Sequence, residues 1–307
     1  MVEECSMASE DFGMEYCRLC PRRCGVARSA YAGNGFCRMG SLPMVARAAL
    51  HFGEEPCISG ERGSGTVFFC GCPLHCVFCQ NGQISGEQPQ VGKVISVERL
   101  REIFMELKAA GAHNINLVTP THFSAAIAQA LEQPVGLPVV YNCSGYERIE
   151  GLRQLEGKVQ IYLPDFKYVL TEPANRYSHA PDYPETAQAA ILEMYRQVGP
   201  YRLDEAGMLQ SGLLIRHLVL PGNLENTYRV IDWVARQFAP GEILFSLMSQ
   251  YTPCVATPFE ELQRTLSVQE YEKVSQYLFD SGIEDGFVQE LDSATQEFIP
   301  DFDLTGI

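Results

Sequence analysis

The chain has 307 residues, 46% of them hydrophobic, and carries a formal net charge of −15 at pH 7. That length buries one large core, or a large core with a small appendage. The acidic balance argues against nucleic acid as a partner, and no apolar run approaches the roughly 20 residues of a membrane span. The N-terminus, MVEECSMASEDF, is acidic and lacks the basic and apolar regions of an export signal. Twelve cysteines in such a chain point to metal binding in a reducing compartment, with the cytoplasm as the expected location.

Residues 1–62 read as a Cys-rich extension. Cys17, Cys20, Cys24 and Cys37 form a C-x2-C-x3-C-x12-C quartet amid Gly, Pro and Arg, the pattern of a small metal-stapled unit. Its metal is open between zinc in a closed four-thiolate site and a second iron–sulfur cluster. Arg18, Arg22, Arg23, Arg28, Arg38 and Arg47 fall in residues 17–50 with no Asp or Glu, so that segment is +6 and the remainder −21. Such a patch suits an acidic electron donor; the plainer reading has these arginines pairing with acids of the main body.

From residue 63 onward, apolar runs alternate with amphipathic stretches. Strands are predicted at 66–70, 115–119, 138–142, 159–163, 213–220 and 242–248, with a short further one at 286–291. Runs apolar on both faces suit buried parallel strands. Ser96 caps a predicted helix whose Leu100, Ile103, Phe104 and Leu107 share a face, and Gly111 stops it. Ser267 and Glu270 make a capping box for a last helix ending before Gly282. Six strand–helix units predict an α/β fold, a partial (β/α)6 barrel, because a closed eightfold barrel needs two more.

Functional groups gather at the C-terminal ends of parallel strands. After the first strand comes GCPLHCVFCQN, with Cys72, Cys76 and Cys79 spaced CxxxCxxC and Phe78 before the last. Clustered thiolates are soft ligands for iron–sulfur or zinc, and three of them leave one iron of a four-iron cluster open. Later strand ends supply Thr119, Thr121 and His122; Asn142, Ser144 and Gly145; Asp165 and Lys167; Arg216; and Ser249, Gln250 and Tyr251. No GxSxG turn or phosphate loop is present, which suits a cofactor carrying the hard chemistry.

The CxxxCxxC loop resembles that of the radical S-adenosylmethionine (SAM) superfamily. Through CRLCPRRCGVAR, VARAALHFGEEPCISG, GAHNINLVTPTHF, YLPDFKY, IRHLVLPG and SLMSQY, nearly the whole chain is similar to its pyruvate formate-lyase activating enzyme-related, PflX-type branch. The resemblance implies a 4Fe–4S cluster on Cys72, Cys76 and Cys79, with SAM on the open iron and Phe78 by the adenine. It implies reductive cleavage of SAM to a 5′-deoxyadenosyl radical, which takes a hydrogen atom from a glycine Cα of a partner glycyl-radical enzyme. A low-potential donor, flavodoxin or ferredoxin, is the implied reductant. Asp165, Lys167 and Arg216 match SAM-binding positions, and Asn142 lies at a matching turn. The usual glycine-rich SAM-gripping stretch is TPTH (119–122) here, leaving Thr119 and Thr121 as candidate contacts. A histidine of the family stands as Tyr251. Modification of another peptide or small molecule, or a non-catalytic electron-transfer protein using Cys70 as fourth ligand, are the alternatives.

Plainer readings stand beside these. Arg216 and Lys167 can pair with Asp165, and Thr119 and Thr121 can form a turn. His75 reads as an exposed loop residue, His122 and His217 as structural, Trp233 as core and Cys70 as packing. Cys5, Cys57, Cys143 and Cys254 read as small apolar residues, with Cys143 also placed to relay a hydrogen atom.

Overall fold

The computed structural model describes residues 13–86, 89, 91–291 and 300–307; Cys5 lies outside them. Every predicted strand is present. β1 (Met44–His51) precedes β2 (Ser64–Phe69), followed by β3 (Lys93–Val94), β4 (Ile115–Val118), β5 (Val139–Cys143) and β6 (Ile161–Pro164). Beyond them come β7 (Arg202–Leu203), β8 (Leu209–Leu218), β9 (Leu244–Met248) and β10 (Gly286–Val288). They form one open sheet in the order β10-β9-β8-β6-β5-β4-β2-β1-β3, with β7 on β8. From β2 to β10 the neighbours along that order are all parallel. β2, β4, β5, β6 and β9 are buried at every position, which is why they read as unbroken apolar runs. The architecture is the partial parallel barrel expected from the strand count.

Helices α1 (Pro56–Ser59), α2 (Gly82–Ser85), α3 (Val97–Ala109), α4 (Ser124–Ala130), α5 (Ile149–Arg153), α6 (Thr171–Ser178), α7 (Tyr183–Val198), α8 (Leu224–Gln237) and α9 (Val268–Asp280) make the connections. α3 starts where Ser96 accepts the Arg99 N–H, and α9 carries the predicted Ser267–Glu270 capping box. α3 packs on β1, β2 and β4, and α7 on β6 and β8, each burying an apolar stripe. Trp233 is core, stacked edge-on against Phe166 at 4.9 Å. No helix among the described residues is long and apolar enough to cross a membrane.

Met44–His51, assigned from sequence to the extension, is built into this sheet as β1. β1 runs antiparallel to β2 with His51 opposite Ser64. The chain end straps β1: Leu304 N–H donates to Ala46 O at 3.0 Å, and the Arg47 guanidinium meets Asp303 at 2.8 Å.

The N-terminal arginines mostly do something other than pair with acids. Arg28, 2% exposed, donates to the carbonyls of Met39, Gly40 and His122 and to the Cys17 sulfur. Arg22 donates to the carbonyls of Pro73, Leu74, Ser178 and His179, pinning the extension to the cysteine loop. Buried carbonyls need donors, and a forked guanidinium serves several at once. Arg47 alone of these three follows the acid-pairing expectation. Arg18, Arg23 and Arg38 are exposed.

Candidate functional site

A cavity of about 200 Å³ opens at the C-terminal ends of the parallel strands. Cys72, Cys76 and Cys79 all border it, as do Phe78, Thr119, Asn142, Cys143, Asp165, Lys167 and Arg216. Residues separated by up to 144 positions in sequence thus share one wall.

The cysteine loop leaves β2 at Gly71, whose φ is +75° and where a Cβ would lie 2.9 Å from the Cys37 carbonyl. A side chain there would push the loop off the N-terminal unit. Each loop sulfur meets a donor group: the Leu74 N–H to Cys72 at 3.3 Å, the Ser178 hydroxyl to Cys76 at 3.2 Å, and Ser85 beside Cys79 at 3.2 Å. Such contacts favour thiolate and tune a cluster. Without metal, burial first, then the neighbouring thiols, push Cys72 up to about 12. Burial also raises Cys76, though the Lys167 ammonium works against it. Three soft donors facing one cavity, each with a hydrogen-bond partner, fit an iron–sulfur cluster with one iron left for a ligand.

Among the described residues no group of three or more His, Cys, Asp or Glu is set to hold a single metal ion. A four-iron cluster is a larger body than one ion, and each thiolate binds a different iron, so its ligands do not have to converge on one point. For the N-terminal quartet the same finding lends zinc no support. Its thiols do lie within electrostatic reach: burial, then Cys37, Cys17 and Cys24, act to raise Cys20, to about 12. The Phe36 N–H donates to Cys24 at 3.2 Å.

Below the loop lies a buried charge cluster. Arg216 points inward from β8, its side chain 12% exposed. Its Nη1 is 2.7 Å from Glu54 and 3.7 Å from Glu55, and its Nη2 donates to Asn142 at 2.5 Å. Its Nε, 3.5 Å from Asp165, has no hydrogen-bond partner. Asn142 and Asn116 both donate to Glu54, at 3.2 and 2.8 Å. Lys167 reaches Asp165 at 2.6 Å. Burial opposes these charges; Lys167 and Arg216 overcome it to lower Asp165, and Asp165 with Cys76 holds Lys167 up. Glu55 is raised by burial, against Arg216.

The ion-pair reading of Lys167 and Arg216 therefore holds as geometry, but the principal partners of Arg216 are Glu54 and Glu55. Sequence reasoning missed both. They sit between β1 and β2, and only the antiparallel turn carries them inside the sheet. Lys167 and Arg216 both border the cavity, and cationic donors there fit an anionic group such as the SAM carboxylate.

The remaining predicted residues divide. Thr119 borders the cavity with φ +61°, and its N–H holds Asn142 O at 2.9 Å; a non-glycine left-handed residue at a strand end marks a constrained site. Thr121 is not among the residues bordering the cavity and donates to Glu147 at 2.5 Å, so it takes the turn role. Phe78 stands between Tyr177 and Tyr251 at 6.4 and 6.2 Å. Tyr251 gives its hydroxyl to Leu262 O at 2.7 Å, leaving only its ring for the cavity.

His122 and His217 are structural: burial lowers them to about 3 and about 4, with His217 held between Phe166 O and Thr227. His75, expected exposed, packs on Phe36 at 4.6 Å. Cys70 donates to Val91 O at 3.2 Å and is absent from the cavity wall. Cys254 is exposed rather than packed, and the Cys79 thiol acts on it electrostatically.

Glu147 was also missed. It is buried and receives Thr121 and Tyr141 hydroxyls at 2.5 and 3.3 Å. Burial raises it from an ordinary 4.5 to about 8, against those hydrogen bonds. Between these values the unfolded chain ionises while the folded one keeps its proton. Stability should therefore fall as pH rises from about 4.5 to about 8. In Glu147→Gln the denaturation midpoint should lose that component of the slope; parallel curves for the two proteins would contradict it.

Fold and site together define an open parallel α/β protein with a three-thiol loop and buried charged groups at the mouth of its sheet. No protein-family model matches the chain. It is 31% identical over 269 residues to the uncharacterized protein MJ0674 of Methanocaldococcus jannaschii, covering 84% of this chain and 72% of that one. The chain belongs to the family of that protein. Among solved structures, Streptococcus suis SuiB bound to S-adenosylmethionine aligns with a TM-score of 0.48 at 11% identity, over 73% of this chain and 50% of SuiB. HydG, a maturase of the [FeFe]-hydrogenase, aligns with a TM-score of 0.48 at 14% identity, over 71% and 49%. The chain spans about half the length of these two structures.

Proposed function

We propose that this protein is a radical SAM enzyme. The observation that carries the reading is the convergence of three thiols, and no fourth from Cys70, on a cavity that also presents Lys167, Arg216, Asn142 and Asp165. Cys72, Cys76 and Cys79 would hold the 4Fe–4S cluster. Lys167 and Arg216 suit the SAM carboxylate, Asp165 and Asn142 its polar groups, and Phe78 its base. With these groups bound, one-electron cleavage of SAM supplies a carbon radical able to abstract hydrogen. The chain's own part is to orient SAM, shield the cavity with Phe78 and Tyr251, and hold the thiolates. Anaerobic protein with a loaded cluster, SAM and dithionite should yield 5′-deoxyadenosine. None forming would contradict the proposal.

The finer reading, supported by the sequence resemblance, is an activase-like reaction on a glycine Cα of a partner glycyl-radical enzyme. Its signature is a glycyl EPR doublet in the partner. Modification of another peptide or small molecule gives no such doublet. Exposed Arg18, Arg23 and Arg38 suit docking of an acidic donor such as flavodoxin or ferredoxin. Metal analysis decides the N-terminal quartet: about four irons and one zinc per chain, or about eight irons.

A further inference from the structure

Cys143 ends β5, is 3% exposed, and borders the cavity together with the three loop cysteines. Ser144, next along, also borders the cavity, and its buried hydroxyl has no hydrogen-bond partner. Behind Cys143 stands Glu147. Its carboxyl is engaged by two hydroxyls, Thr121 at 2.5 Å and Tyr141 at 3.3 Å, and by the Cys143 thiol. Burial makes this acid costly to ionise, although the three donors work the other way. Glu147 also borders a second pocket on the outer side, with Arg23, Arg148 and Asp182. Thiol, carboxyl and outer pocket thus form a chain from the cavity toward solvent.

We propose that Cys143 is the hydrogen donor of the cavity and that Glu147 supplies the proton that restores its thiol. The proposal rests on the radical reading above and states how that chemistry ends. A carbon radical in the cavity takes the hydrogen atom of the Cys143 S–H bond, forming a C–H bond and leaving a thiyl radical. One electron from the low-potential reductant and the proton of the Glu147 carboxyl return the thiol, and Glu147 regains its proton through the outer pocket. Thiol S–H bonds are weaker than aliphatic C–H bonds, so the first transfer runs downhill. The product leaves with all electrons paired, on a peptide or small molecule modified in place. That outcome belongs to the alternative given above, modification of another peptide or small molecule, and replaces the activase-like reading.

The test needs no substrate. The anaerobic full chain with its cluster is given SAM and dithionite in D2O, where thiols carry deuterium. Wild-type protein should place solvent deuterium on the 5′ carbon of 5′-deoxyadenosine. In Cys143→Ser, whatever 5′-deoxyadenosine forms should lack it, while Glu147→Gln should keep the label but stall after the first turnover. Unlabelled 5′-deoxyadenosine from wild type, or label surviving in Cys143→Ser, overturns the inference and leaves the radical reading standing. No 5′-deoxyadenosine overturns both.

A second readout needs no turnover. The titratable groups around Cys143 are Glu147 and Asp165, together with the buried Tyr141, Tyr162 and Tyr183. Removing the Glu147 charge should move the pH profile of Cys143 alkylation by iodoacetamide, followed by peptide mass, to lower pH. An unmoved profile overturns the coupling.

Discussion

Cys76→Ala protein, reconstituted anaerobically, is expected to lose its iron–sulfur absorption and all measurable SAM cleavage. Cys76 faces the cavity, takes a hydrogen bond from Ser178 at 3.2 Å and lies under the influence of Lys167. With three thiolates for four irons, the loop itself holds no replacement for Cys76. Cys70, two residues before the loop motif, is turned to Val91 O, so Cys70→Ala should keep cluster and activity. The loss in Cys76→Ala should exceed the roughly 10–100-fold that an outer-shell partner costs, measured as 5′-deoxyadenosine per cluster. An intact, active cluster in Cys76→Ala, or its loss in Cys70→Ala, would reassign the ligands.

The second large effect concerns the charge cluster beneath the cavity. Arg216→Ala leaves Glu54 and Glu55 buried without their cation, and removing one member of a buried ion pair costs about 3–5 kcal/mol. The chain places 2.7 and 3.7 Å contacts at stake. Urea denaturation should show that loss in Arg216→Ala, and Glu54→Gln introduced on top should recover part of it, because the two sites couple. A loss below about 1 kcal/mol would place the cluster in the range of exposed pairs and remove it as the floor of the site.

The parallel strands were legible because each is buried on both faces, so INLV, VVYNC and IYLP read as unbroken apolar runs. The cysteine loop was legible because its ligand spacing is local in sequence. β1 was not. The Cys-rich, arginine-rich surroundings of MVARAALH framed it as part of an extension, and nothing in periodicity reports that it pairs antiparallel with β2. Glu54 and Glu55 follow from the same omission, since a pair of acids after an unassigned strand reads as a solvated loop.

Thr121 and Glu147 show another limit. Thr121 was visible as a hydroxyl at a strand end, but its partner 26 positions on becomes apparent only when β4 and β5 lie side by side. Cys143 was marked by its place at a strand end, while the carboxyl behind it was passed over as the tail of YNCSGYE. Charged groups that face inward are set by the third dimension, and sequence pattern alone leaves their direction open.

The most direct test of the open iron is EPR of the reduced cluster with and without SAM. The three-thiolate site bordered by Lys167 and Arg216 predicts that SAM changes the signal, as a ligand reaching the cluster must. A signal identical with and without SAM, from protein shown to hold four irons, would contradict the account.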